Sequence, residues 1–230
     1  MAPAPQPPIH SLAFDAYGTL FDVFAVGDAA KQIFGVHADA VLATWRSKQL
    51  EYTWLRALMN RYADFETVTV QALRYACRRH GLQCSREVER KLMEAYYRLA
   101  AFPEVPDVLV RLKKAGCRCV ILSNGTPEML NAAVRSAGLT PFLDAVLSAH
   151  QVQTYKPHPA VYQLAVEFFQ QPADRIGFVS SNGFDVAGAT SFGLQTFWIN
   201  RNQTVAEELD LKPRFTGGNL QSVLETLQIP

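Results

Sequence analysis

Four short polar clusters in this 230-residue chain carry residue types that could do chemistry. Asp15 closes the apolar run Leu12-Ala13-Phe14 and is followed closely by Gly18. Ser123-Asn124-Gly125 comes directly after Val120-Ile121-Leu122. Lys156 lies in Tyr155-Lys156-Pro157, and Ser180, Asn182 and Asp185 follow Ile176-Gly177-Phe178-Val179. A carboxylate, an ammonium and a second carboxylate among hydroxyls and amides are the parts of a nucleophilic displacement. The first acid attacks, the cation pairs with it, and the second acid handles water. Taken singly, each cluster has a plainer reading: Asp beside Gly forms turns, Ser-Asn-Gly is a common loop, and a lone lysine is usually solvated. Their order at successive strand ends favours the chemical reading.

The elements that must position these groups follow from periodicity. After Asp107 the pattern alternates. Helices are expected from Asp107 to Ala115, Pro127 to Ala137, Ala160 to Phe169, Val186 to Phe192 and Leu220 to Leu227. Short apolar strands are expected at Leu12 to Phe14, Cys117 to Leu122, Ala145 to Leu147, Ile176 to Val179 and Thr196 to Ile199. Such alternation implies a parallel sheet with right-handed crossovers, in which function collects at the carboxyl ends of the strands. Phe21 to Ala100 reads differently. It is helical over Val41 to Met59, Val68 to His80 and Arg86 to Ala100, and it is dense in aromatic residues. The expected organisation is an α/β core of residues 1–20 and 101–230, interrupted by a helical block of residues 21–100.

Composition narrows the function classes. Hydrophobic residues make up 49% and charged residues 19%, enough to bury a core. Twenty-two Lys and Arg against 21 Asp and Glu leave a net charge of +1, which argues against nucleic acid and anionic membranes as partners. No run approaches the ~18 apolar residues of a membrane span. The leader Met1 to His10 is rich in proline and lacks both early basic residues and an apolar segment, so it is expected to be extended and mobile and not a secretory signal. Cys77, Cys84, Cys117 and Cys119 form no C-x-x-C, and the five histidines show no ligand spacing. Buried thiols in a reducing, cytoplasmic setting are expected, with no metal or other cofactor.

The run Phe14-Asp15-Ala16-Tyr17-Gly18-Thr19-Leu20 resembles the nucleophile motif of the haloacid dehalogenase superfamily. Ser123-Asn124, Lys156-Pro157 and Val179 to Asp185 match its three later motifs in order and spacing. The resemblance implies a Rossmann-like parallel-sheet core with an inserted α-helical cap, and an aspartate that forms a covalent intermediate. Most members are magnesium-dependent phosphatases, but two residues depart from that pattern. Tyr17 stands where the phosphatase acid would protonate a departing alkoxide, and Ser181 stands where the first of a final acidic pair would sit. A halide leaves without a proton, and a monocarboxylate substrate needs no divalent ion to offset a phosphate dianion.

Within the superfamily the chain is most similar to the L-2-haloacid dehalogenases. Arg46, Tyr17, Leu50, Phe65, Tyr162, Ser180 and Asn182 match that pattern; Phe184 departs from it, standing where an indole is expected. The resemblance implies that Asp15 attacks the α-carbon of a small 2-haloacid and that Lys156 pairs with and aims it. Thr19 supports the nucleophile, and Ser123 receives the substrate carboxylate. Arg46, Asn124 and Phe184 face the halide, while Tyr17, Leu50 and Phe65 wall the pocket. Asp185, with Ser180 and Asn182, directs water to the ester, and Tyr162 stands beside the lysine loop. It also implies a homodimer. Two rivals remain at this point: a metal-dependent phosphatase, and a hydrolase that expels a non-halide group next to a carboxylate.

Overall fold

A computed structural model describes residues 9–230; the leader expectation for residues 1–8, and the side chains of Phe24 and Ala25, lie outside the described residues. Strand β1 (Ser11–Phe14) is buried at every position, as a strand covered on both faces must be. Its side chains alternate: Leu12 and Phe14 join one apolar cluster and Ala13 the other. β4 (Arg118–Ser123), β5 (Ala145–Ser148), β6 (Ile176–Ser180), β7 (Gln195–Ile199) and β8 (Phe215–Gly217) complete a six-stranded sheet in the order β5-β4-β1-β6-β7-β8. Every neighbouring pair in it is parallel. The chain moves outward from β1 first to one side and then to the other. The crevice at the carboxyl ends of β1 and β6 is therefore the switch point where such sheets hold ligands.

Helices α5 (Val105–Lys114), α6 (Pro127–Ser136), α7 (Pro159–Phe169), α8 (Gly183–Phe192) and α9 (Gln221–Leu227) cover the sheet faces. The inserted block is α1 (Phe24–Phe34), α2 (Ala38–Leu58), α3 (Phe65–Arg79) and α4 (Arg86–Tyr97). α2 packs on α3 and buries Ala38, Val41, Trp45, Gln49 and Thr53, a stripe at helical spacing. α3 starts where Asp64 accepts the Thr67 amide at 2.7 Å, satisfying a donor the helix cannot. Trp45 and Phe65 belong to the same apolar cluster as Phe14, so one face of the sheet is continuous with the helical block.

Several elements differ from expectation. The helix from Arg86 stops at Tyr97 rather than Ala100. Ala100–Ala101 forms β3, pairing antiparallel with β2 (Phe21–Asp22), so the two places where the chain crosses between block and sheet lie side by side. Two-residue strands have no periodicity to read. α1 and β8 were also not expected; α1 carries Gly27 mid-helix, and β8 spans only three residues. α8 begins at Gly183, not Val186, which puts Phe184 and Asp185 on a first helical turn instead of a loop. The four cysteines are free, and burial pushes the Cys119 thiol up to about 12. Among the described residues no helix is long and apolar enough to cross a membrane.

Candidate active site

The Asp15 amide donates to the Val179 carbonyl at 2.8 Å, extending the β1–β6 ladder by one residue. The sheet thus holds the Asp15 backbone, and the side chain begins where pairing ends. The turn beyond it needs Gly18 at φ +82°, a conformation side-chain-bearing residues rarely adopt. Asp15 is buried, and each of its oxygens has its own partners. Oδ1 accepts from Lys156 Nζ at 3.1 Å. Oδ2 accepts from Asn182 Nδ2 at 2.8 Å and from Thr19 Oγ1 at 3.3 Å. Thr19 is itself placed by the Ser181 amide, which donates to its Oγ1 at 2.9 Å.

Lys156 is 1% exposed. Its Nζ reaches Asp185 Oδ2 at 2.8 Å as well as Asp15, and it lies 4.8 Å above the Phe178 ring. Its backbone amide donates to Asn124 Oδ1 at 2.9 Å, so the loop after β4 steadies the lysine loop. Asp185 also accepts from Tyr162 at Oδ1 (2.8 Å) and from Ser180 at Oδ2 (3.1 Å). Burial opposes the Lys156 charge, but the two carboxylates outweigh it and hold its pKa above the ordinary lysine value. Burial pushes the Asp185 carboxyl up to about 6; Lys156 pulls against that shift and Asp15 adds to it.

The helical block closes the site from above. Arg46 on α2 donates through Nη2 to Asn182 Oδ1 at 3.1 Å, and through Nη1 to Gln49 Oε1 at 2.8 Å. Tyr17 stacks on Phe65 at 5.9 Å between centroids and meets Tyr96 edge-on at 5.8 Å. Its hydroxyl is buried with no hydrogen-bond partner among the described residues and lies against Gly125, where a Cβ would come within 2.8 Å of it. Burial, then Tyr96 and Asp15, raise the Tyr17 pKa well above the ordinary tyrosine value. A cavity of about 620 Å³ is lined by Tyr17, Arg46, Ser181 and Asn182 together with Trp45, Tyr96 and Arg201.

Of the residues singled out from sequence, Asp15, Thr19, Lys156, Ser180, Asn182, Asp185, Tyr162 and Arg46 form one connected hydrogen-bonded group. Asn124 joins it through the lysine backbone. Ser123 is buried at the end of β4, where its Oγ accepts from the Gly125 amide at 3.3 Å; among the described residues it makes no hydrogen bond to Asp15. Tyr17 lines the cavity, whereas Leu50, Phe65 and Phe184 do not. Phe65 reaches the site only by stacking on Tyr17, and Phe184 packs edge-on against Trp54 at 5.3 Å.

Sequence reasoning missed Gln49, Thr69 and Trp54. A polar residue on an otherwise apolar helical stripe was a readable signal for Gln49, and Trp54 continues the spacing Arg46, Leu50, Trp54 along α2.

The donor set fits a divalent ion poorly. Asp15 and Asp185 are the carboxylates bonded to the Lys156 ammonium, and Ser181 offers only a hydroxyl. Among the described residues there is no cluster of three acidic, histidine or cysteine side chains.

What the arrangement can do is set by charge. A buried carboxylate with both oxygens held, an arginine across from it and no acid at position 17 suit expulsion of an anion that needs no proton. The comparisons agree with this geometry. The family model for haloacid dehalogenase-like hydrolases matches residues 9–193. The (S)-2-haloacid dehalogenase of Pseudomonas sp. (strain YL) is 46% identical over 220 residues, covering 96% of this chain and 95% of that one. The crystal structure of the L-2-haloacid dehalogenase RSc1362 superposes with a TM-score of 0.95 at 45% identity, covering 96% and 100% of the two chains. An L-2-haloacid dehalogenase from Xanthobacter autotrophicus with chloropropionic acid covalently bound superposes at 0.90, with 37% identity and coverage of 96% and 98%. On motif order, fold and site alike, this chain belongs to the haloacid dehalogenase-like hydrolases, and within them to the L-2-haloacid dehalogenases.

Proposed function

We propose that the protein is an (S)-2-haloacid dehalogenase, hydrolysing short 2-haloalkanoic acids, haloacetates included, to (R)-2-hydroxyacids and halide. The observation that carries this reading is the division of labour on Asp15: Lys156 takes Oδ1, Asn182 and Thr19 take Oδ2, and Arg46 faces the same amide from across the site. A carboxylate oxygen attacks the α-carbon behind the halogen, the C–O bond forms as the carbon–halogen bond breaks, and the electron pair leaves with the halide. Arg46 and the NH2 end of Asn124 meet that developing charge with donors already oriented. Ser123 and neighbouring backbone amides hold the substrate carboxylate. Tyr17, on the cavity wall with Phe65 stacked behind it, keeps water away from the reacting carbon.

Water then adds to the carbonyl carbon of the Asp15 ester and frees the hydroxyacid, so the hydroxyl oxygen of the product comes from Asp15. Asp185 receives a proton of that water and returns it to the departing alkoxide oxygen of the hydroxyacid, with Ser180 and Asn182 orienting the water; the remaining proton leaves to solvent as Asp15 is regenerated as a carboxylate. The α-carbon is inverted once, in the first step. A phosphatase is not favoured: the residue at its general-acid position is a buried tyrosine whose proton is held above the ordinary value. In this reading residues 21–100 act as a cap over a core of residues 1–20 and 101–230, and the enzyme works in the cytoplasm as a homodimer. Leu55, Leu58 and Met59, exposed at the end of α2, support an apolar contact between protomers.

The test is halide release from both enantiomers of 2-chloropropionate and from chloro-, bromo- and fluoroacetate, with and without a chelator. Release from the (S) enantiomer that ignores the chelator is expected. Phosphate release from monoesters that the chelator stops would overturn the reading.

A further inference from the structure

Among the described residues Arg46 is the one cationic group that the helical block brings to Asn182, yet nothing in its own position on a long helix dictates where its guanidinium points. Its orientation is dictated from behind. Gln49 Oε1 accepts from Nη1 at 2.8 Å, and Gln49 Nε2 donates to Thr69 Oγ1 at 2.7 Å. Thr69 Oγ1 in turn donates to the Phe65 carbonyl at 2.6 Å. Because that hydroxyl hydrogen is committed to Phe65, Thr69 can only accept from Gln49. The amide is therefore locked with its NH2 toward α3 and its oxygen toward Arg46. Gln49 and Thr69 are both 0% exposed, so neither can trade these partners for water. The Trp45 indole, donating to the Thr69 carbonyl at 2.8 Å, fixes the same turn of α3. The result is a connected chain in which Arg46 donates on one side through Gln49 and Thr69 to the α3 backbone and on the other through Asn182 to Asp15.

We infer that Gln49 is a positioning residue that holds the Arg46 guanidinium in the orientation that receives the departing halide. This rests on the reading of Arg46 as the halide-facing group. A guanidinium anchored at both Nη atoms meets the leaving anion without reorganising. Freed at one, it must be reoriented while charge develops, and misplacement of this kind costs about 10²-fold in rate. Chloride is smaller and more charge-dense than bromide, so the loss falls harder on chlorinated substrates.

The experiment compares wild type with Gln49→Met for kcat on (S)-2-chloropropionate and (S)-2-bromopropionate and for inhibition by added chloride, with the melting temperature of each. For Q49M the expected result is a larger fall with the chloro than with the bromo substrate, and weaker chloride inhibition. Thr69→Val should shift the same ratio in the same direction, and Thr69→Ser, which keeps the hydroxyl, should restore it; this pair carries the test if Q49M does not fold. A folded Q49M or T69V with the wild-type bromide-to-chloride ratio and chloride inhibition would overturn the inference. The two readings fail differently: if wild type frees no halide from either substrate, the proposed function falls, whereas an active Q49M with unchanged ratios removes only the role of Gln49.

Discussion

The ammonium of Lys156 stands 3.1 Å from the carboxylate of Asp15 across 141 residues of chain, and both groups are buried. Lys156→Met would leave two buried carboxylates without their shared cation. Removing one partner of a buried ion pair costs roughly 3–5 kcal/mol, which for a chain of this size lowers the melting temperature by on the order of 10 °C. Halide release should be lost as well. A thermal melt beside a halide assay checks both, and a K156M enzyme melting at the wild-type temperature would contradict the buried triad.

Asp185, pushed up to about 6, must be ionised to take a proton from water. A carboxyl with a raised pKa holds its proton further up the pH scale, so the competent form is lost as pH falls through about 6 and complete well above it. The kcat profile should therefore show an acid limb near that value, belonging to the Lys156, Asp15 and Asp185 group jointly. Steady activity down to pH 4.5 would remove Asp185 from the hydrolytic step.

In a single turnover in heavy-oxygen water with enzyme in excess, the hydroxyacid should carry ordinary oxygen, and mass spectrometry should find the heavy atom on the peptide containing Asp15. Full labelling of the first product would exclude the ester. Asp15→Asn should abolish halide release in the same assay.

Asn182 touches both sides of the reaction, donating to Asp15 and accepting from Arg46. Asn182→Ala removes one donor from the nucleophile and one anchor from the arginine. The expected fall in kcat is about 10²–10³-fold, the scale seen when a single preorganised donor is deleted. Comparing kcat with KM tells whether the loss lies in chemistry or in binding.

Phe184 meets the Trp54 ring edge-on at 5.3 Å, and both rings are only partly buried. Phe184→Trp alone should destabilise by about 1 kcal/mol by disturbing this edge-on pair, read from a thermal melt. F184W combined with Trp54→Phe should regain most of that loss. Additive losses in the double variant would show that the two rings are not coupled.

Much of this arrangement is legible in the sequence. Asp15 follows β1, Lys156 lies on the loop beyond β5 and Asp185 on the first turn of the helix after β6, and a parallel sheet gathers the segments leaving its carboxyl edge, so order along the chain was enough to bring them near one another. Arg46 and Tyr162 needed the family pattern, because nothing in a helix reveals which polar side chain faces a distant loop. The finer placement escaped. Phe65 and Leu50 match the pocket pattern, yet the cavity beside Arg46 is lined instead by Trp45 and Tyr96, because packing between helices rotates faces that spacing alone leaves free. The β2–β3 pairing was hidden for a different reason: two residues per strand carry no period, and long-range register exists only once the chain has folded.

That small ribbon has a mechanical meaning. Both passages of the backbone between the helices and the sheet are hydrogen-bonded to each other, with Phe21 opposite Ala101 and Asp22 opposite Ala100. Entry and exit of the helical block are thereby fixed against each other at one spot, while contacts such as Arg46 with Asn182 and Trp54 with Phe184 anchor the block to the sheet elsewhere.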